Sequence, residues 1–92
     1  MYYFYIARCS DNSLYCGISN NLDKRIARHN RGYGSSWIKQ HGDAVIVYNE
    51  EYNNFKEARS REAQIKRWSR IKKENLISGE DPSARPSRPR SG

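Results

Sequence analysis

A chain of 92 residues has room for one small domain around one core, which excludes a multidomain enzyme built on a buried organic cofactor. Lys and Arg number 17 against 10 Asp and Glu, and the net charge of +7 attracts polyanions, with nucleic acid the first candidate and an anionic membrane surface the second. No run approaches the ~20 apolar residues of a membrane span, and the start, Met1 to Ile6, lacks the basic and apolar regions of a secretory signal.

In chain order, Tyr2 to Arg8 is dense in aromatic and β-branched residues and reads as a strand. Ser10-Asp11-Asn12-Ser13 is turn chemistry, and Leu14 to Ile18 reads as the returning strand of a hairpin. Asn20, answered by Asp23, caps a predicted helix that ends at Asn30 to Gly32. Gly32 to Gly42 reads as a mixed loop carrying Trp37, with room for one helical turn, and Ala44 to Tyr48 is an apolar run suited to a central strand. Asn54 and Glu57 have the form of a capping box for a helix reaching about Trp68, and Ser69 caps a last helix to Ile77. Residues 78–92 hold all three prolines and no periodic apolar face, and read as a disordered basic tail. The expectation is a single α+β domain over residues 1–77: a small three-stranded antiparallel sheet flanked by helices, order ββαβαα. Two cysteines, Cys9 and Cys16, are too few for a disulfide scaffold and suit a reducing, cytoplasmic setting. In the hairpin register described next they point to opposite faces.

Three groups of residues could carry chemistry. At about 100° per residue, Phe55, Ala58 and Ile65 share a narrow arc of their helix, and Glu62 falls inside it. An acid on an apolar face needs a partner, and two solutions stay open: a bound divalent cation or a salt bridge to an inward Arg. Glu57, with a capping role, ranks below it as a ligand. On the first helix Arg25 and His29 lie four apart, within about 60° of Leu22, at the border of a stripe marked by Leu22 and Ile26. An isolated pair of this kind is more often rim packing, while the functional alternative is a phosphate clamp. Finally, Tyr5 and Tyr15 share one face if the hairpin pairs residues of even sum, which requires an odd-length turn or a bulge. With Tyr5 opposite Gly17, Tyr15 becomes a diagonal neighbour roughly 7–8 Å away, and Gly17 leaves space for a close approach.

Taken together, Tyr3-Phe4-Tyr5, then Tyr15-Cys16-Gly17, Arg25, His29 and Arg61-Glu62-Ala63-Gln64-Ile65-Lys66-Arg67 resemble the GIY-YIG nuclease superfamily. The likeness is to its small, stand-alone bacterial members, whose usual Arg-Cys after an aromatic strand is matched by Arg8-Cys9, and it spans nearly all of residues 1–77. It implies that Tyr5 and Tyr15 are the motif tyrosines, Arg25 the catalytic arginine, His29 its accompanying histidine, and Glu62 the single metal-binding acid. Asn75 is a loose match to a late asparagine. Two departures, Tyr3-Phe4 for Gly-Ile and Cys16 in the second motif, fall where packing matters more than chemistry. The implied reaction is phosphodiester hydrolysis with one Mg²⁺ or Mn²⁺ on Glu62, Arg25 on the phosphate and Tyr5 accepting the proton of the attacking water, with Arg25 and the metal both favouring the phenolate.

Lys56 to Lys73 carries eight basic residues (Lys56, Arg59, Arg61, Lys66, Arg67, Arg70, Lys72 and Lys73) and two acids, a plausible phosphate track. Tyr33, Trp37 and Trp68 are candidates for stacking on bases, which favours single-stranded DNA as substrate and partner. The competing class is a noncatalytic nucleic-acid-binding protein with Glu62 in a structural ion pair; branched or duplex DNA is the competing substrate. A membrane-surface protein ranks third, because Glu57, Glu62 and Glu74 interrupt every basic helical face.

Overall fold

The computed structural model of the chain describes residues 1–28 and 42–86. The elements are β1 (Tyr2–Cys9), β2 (Leu14–Ser19), α1 (Leu22–Arg28), β3 (Ala44–Tyr52), α2 (Phe55–Lys66) and α3 (Arg70–Ser78). This is the expected ββαβαα order, and the sheet is antiparallel throughout in the order β2-β1-β3. Residues 29–41 and 87–92 lie outside the described residues, and with the first of these segments the expected end of the first helix and nearly all of the mixed loop expected over Gly32 to Gly42.

The hairpin meets the odd-turn condition. Its loop is Ser10-Asp11-Asn12, closed by the Cys9 N–H on Ser13 O at 2.9 Å and the Asn12 N–H on Cys9 O at 2.8 Å. Asn12 takes the left-handed conformation, φ 73°, that the last residue of a three-residue hairpin loop requires. Tyr5 consequently pairs with Gly17, and Ala7 with Tyr15.

Alternation along the strands divides the apolar residues between two sheet faces. One face carries Phe4, Ile6, Cys16, Tyr48 and Tyr52, and is covered by Ala58 and Ile65 of α2 and Leu76 of α3. The other carries Tyr5, Ala7, Cys9 and Ala44 and meets Leu22 of α1. Cys9 and Cys16 therefore sit on opposite faces and form no disulfide. Phe55 is not part of the buried stripe of α2: it is 46% exposed, and its ring packs edge-on against Tyr2.

The caps follow the sequence closely. Asn54 Oδ1 accepts from the Glu57 N–H at 2.9 Å, and Ser69 Oγ from the Lys72 N–H at 3.2 Å. The cap of α1 is Asn21 rather than Asn20, its Oδ1 accepting from the Lys24 N–H at 3.0 Å.

Two boundaries differ from expectation. β3 continues four residues past Tyr48, to Tyr52, with an irregularity opposite Ile6 and Ala7. The chain beyond α3 also folds back. Gly79, at φ 86°, closes α3 while the Glu80 N–H reaches Asn75 O at 2.9 Å. Ala84 then packs on the core, and the Arg85 N–H donates to Tyr48 Oη at 2.9 Å. The first part of the expected tail is thus held against the domain by contacts with residues remote in sequence, which its Ser, Gly and Pro content did not advertise. Among the described residues no helix is long and apolar enough to cross a membrane.

Candidate active site

The site forms where β1, the edge strand β2 and α1 converge. Tyr5 points to the α1 face, and its ring lies over Gly17: a Cβ built on Gly17 would fall 2.6 Å from the Tyr5 hydroxyl. Only glycine leaves that volume empty, so the second motif's glycine is a seat for the first motif's phenol. Tyr15 sits diagonally, its ring centroid 6.2 Å from that of Tyr5. Arg25 projects from the middle of α1, and its Nε–H reaches the Tyr5 hydroxyl at 3.4 Å.

Electrostatics tie the group together. Burial pushes the Tyr5 phenol above its usual value; the hydrogen bond from Arg25 opposes this, and the charge of Glu62 adds to it. The expectation that Arg25 favours the phenolate is met in sign, but burial outweighs it, so without further positive charge Tyr5 is a neutral phenol. Arg25 is held charged, first by its hydrogen bond to Tyr5 and further by Tyr15.

Glu62 approaches the same place from the opposite face. Its charge acts on Tyr5 and on Cys16, whose thiol is pushed up chiefly by burial, and its helix packs on β2. Its side chain is 18% exposed, and Oε2 lies 3.6 Å from the exposed ammonium of Lys66. Among the described residues its ion pair is with this lysine and not with an inward Arg. A half-buried carboxylate with one loose, displaceable cation suits a hard divalent ion that draws most of its ligands from water and phosphate. Among the described residues no cluster of three or more His, Cys, Asp or Glu offers a fuller cage.

The inward Arg is engaged elsewhere. Arg61, expected on the phosphate track, turns to the other flank of α2. There it grips Glu50, which is fully buried: Nε–H to Oε1 at 2.9 Å and Nη2–H to Oε2 at 3.0 Å. The hydroxyls of Tyr48 and Tyr52 donate to the same carboxylate at 2.5 and 2.6 Å. Burial, then the bond to Glu50, pushes the Tyr52 phenol up to about 12 and Tyr48 higher still. Arg61 is filled by further bonds to Gln64 Oε1 and to Ser83 O and Oγ. Sequence reasoning misses Glu50 because the apolar run that marks β3 ends at Tyr48. Its signal was the period-two series Tyr48, Glu50, Tyr52, two phenols flanking an acid on one face.

The remaining basic residues divide. Arg70 donates to Asn12 O and pairs with Glu74 at 3.1 Å, and Lys72 stacks 4.2 Å over the Trp68 ring. Lys56 lines a depression of about 580 Å³ beside Arg61 and Arg85, away from Tyr5. Arg59 and Arg67 are exposed. Lys66 stands next to Glu62, and the charges of Lys66 and Lys73 both act on Cys16. Asn75 lies near the end of α3, where its carbonyl accepts the capping N–H groups. Asn49, directly across β1 from Tyr5, buries an Oδ1 that has no hydrogen-bond partner among the described residues. His29, Tyr33 and Trp37 lie outside the described residues.

The chain is similar to several known proteins. The family model described as the GIY-YIG catalytic domain matches residues 1–75. A UPF0213 protein of Clostridium perfringens (strain 13 / Type A) is 47% identical over 78 residues, covering 85% of this chain and 84% of that one. Another, of Staphylococcus haemolyticus, is 43% identical over 76 residues, covering 83% and 93%. The solution NMR structure of a UPF0213 protein from Bacillus halodurans superposes with a TM-score of 0.56 at 33% identity, covering 90% of this chain and 89% of that one.

Proposed function

The chain belongs to the GIY-YIG family, a superfamily of nucleases, and from that premise we propose that it is a divalent-metal-dependent endodeoxyribonuclease with single-stranded DNA as its preferred substrate. The observation that carries the reading is the Tyr5 hydroxyl, seated over Gly17 within 3.4 Å of the Arg25 guanidinium, with the Glu62 charge acting on it. A phenol, a guanidinium and a carboxylate are the groups a phosphodiester hydrolase needs to take a proton, neutralise a phosphate and hold a cation.

In this reading Arg25 binds the scissile phosphate and offsets the charge that builds on it. Tyr5 accepts the proton of the attacking water, Tyr15 orients that water beside it, and His29 relays the proton. The P–O3′ bond breaks, leaving a 5′-phosphate and a 3′-hydroxyl. Glu62 would hold Mg²⁺ or Mn²⁺, which supplies charge stabilisation to the phosphate and to the departing oxygen. Lys66 and Lys73, beside Glu62 and Cys16, receive the flanking phosphates.

Single strands suit the half-buried rings of Tyr3 and Tyr15, which flank Tyr5 on the site face and can stack on unpaired bases. Two cysteines without a disulfide suit a cytoplasmic setting.

The test is cleavage of matched single-stranded, duplex and branched oligonucleotides with MgCl₂ or MnCl₂. Loss of full-length single strand, stopped by EDTA and lowered about 10²- to 10⁴-fold in Tyr5→Phe and Glu62→Gln, is expected. Binding without cleavage at any metal concentration would return the protein to the noncatalytic class, and preference for plain duplex would overturn the substrate assignment.

A further inference from the structure

Arg61 and Glu62 are neighbours in sequence whose side chains leave α2 in different directions. At about 100° per residue from Ala58, Arg61 lies about 60° to one side of the buried stripe and Glu62 about 40° to the other. α2 therefore lies across the sheet with one residue aimed at each edge strand. Arg61 reaches Glu50 on β3, and Glu62 leaves the opposite flank of α2, which packs on β2 as well as on β3. The Arg61 end is rigid. Its guanidinium makes a two-pronged contact with a carboxylate that is 0% exposed and is itself held by two tyrosine hydroxyls, and it stacks 5.6 Å over the Trp68 ring. The Glu62 end is looser: among the described residues its ion pair is with Lys66, at 3.6 Å. A lone carboxylate at the rim of a helix has nothing of its own to set its direction.

We propose that the buried Glu50–Arg61 pair is a positioning device: it fixes the rotation of α2 about its axis and so aims the Glu62 carboxylate at the β2 edge beside Tyr5. Apolar packing of Ala58 and Ile65 alone resists such rotation weakly, because a small alanine and one branched side chain present a smooth stripe. The fork of Arg61 on Glu50 has one geometry and resists it strongly. A planar, bidentate contact on β3 thus supports a single-ligand cation site on β2, at the opposite edge of the sheet. The inference rests on the metal-dependent reading above and assigns to Glu50 and Arg61 a role in that site without contact with substrate.

The experiment compares the wild type with Glu50→Gln, Arg61→Lys and, as a control, Glu74→Gln. The control removes the carboxylate that ties α3 to the hairpin through Arg8 and Arg70, contacts that involve neither Glu50 nor Arg61. Thermal melts establish the folded fraction. MnCl₂ is titrated into labelled protein, and paramagnetic broadening of the Gly17 and Glu62 amide signals is recorded. The half-saturating Mn²⁺ concentration for oligonucleotide cleavage is measured beside it. Glu50→Gln and Arg61→Lys are expected to raise the half-saturating concentration about 10- to 100-fold and to weaken the broadening in parallel. Glu74→Gln is expected to leave both unchanged even where its melting temperature falls as far. Equal shifts in all three variants, or none in the first two, would overturn the proposal. So would a Glu50→Gln and an Arg61→Lys chain that are both unfolded while Glu74→Gln is folded, since the pair would then serve the fold alone. A wild type that neither cleaves nor binds Mn²⁺ is a different failure, that of the nuclease reading itself.

Discussion

Gly17 is the position where one methyl group decides most. The Tyr5 hydroxyl and ring occupy the space that a side chain there would claim, with the nearest approaches at 2.6 and 2.8 Å. In Gly17→Ala the Tyr5 ring must move, and a displacement near 1 Å at a reacting group costs about 10²-fold in rate. Fold stability should change little, because Ala in a strand recovers about 0.5–1 kcal/mol of the backbone entropy that Gly loses. Cleavage assays beside thermal melts check this separation, and activity lost only in step with stability would refute it. The phenol itself makes a pH prediction. Burial raises the Tyr5 pKa and outweighs the opposing Arg25, so the phenolate is a minor species at neutral pH. If Tyr5 is the base, the cleavage rate climbs with pH, by about tenfold per unit, through neutrality and into the alkaline range. A rate flat above pH 6 would remove Tyr5 from that role.

Among the elements, β3 and α2 form the most tightly specified pairing, and its specificity is polar. Breaking one side of the pair, as in Arg61→Met, leaves the Glu50 carboxylate buried without its counter-charge and should cost about 3–5 kcal/mol in urea unfolding. The double variant Glu50→Leu with Arg61→Met should recover most of that loss, since apolar residues of similar size replace buried ion pairs with little penalty. A double variant no more stable than Arg61→Met would show that the tyrosine hydroxyls, not the ion pair, dominate this part of the core. The hairpin was legible as two strands and a turn, and its register only as a condition, which the three-residue loop with Asn12 in the left-handed conformation meets. β3 was legible only to its apolar half. Asn49 to Tyr52 is polar by composition, and the burial of Glu50 depends on a partner eleven residues further along the chain.

Across the whole molecule, charge is arranged in tethers as well as in excess. Arg8 in β1 grips Glu74 in α3 at 2.6 Å, and Arg70 bridges Glu74 to the hairpin carbonyl of Asn12. The Arg8 hydrogen bonds hold the Glu74 carboxyl down to about 2 from an ordinary 4.5. A depressed folded pKa stabilises the fold fully above the unfolded value and loses that contribution as pH falls from about 4.5 towards 2. The pair is about a third exposed, so the effect is modest. The melting temperature of the wild type should exceed that of Glu74→Gln at pH 7, and the gap should close between pH 4.5 and 2; a gap independent of pH would refute the tether.

What the amino-acid sequence determined by itself was local or periodic: the strand and helix order, the caps at Asn54 and Ser69, and the condition on the turn under which Tyr5, Tyr15 and Gly17 fall on a single patch. Each follows from interactions within a few residues or from a repeat of two or 3.6, and those are printed in the chain. What only the tertiary structure decided was which charges meet. Arg61 and Glu62 are consecutive on one helix, yet one is paired with a buried glutamate and the other with the exposed Lys66 on the opposite flank. The direction of a side chain about a packed helix is set by what the opposite surface offers, and that surface is brought there by strands far away in sequence.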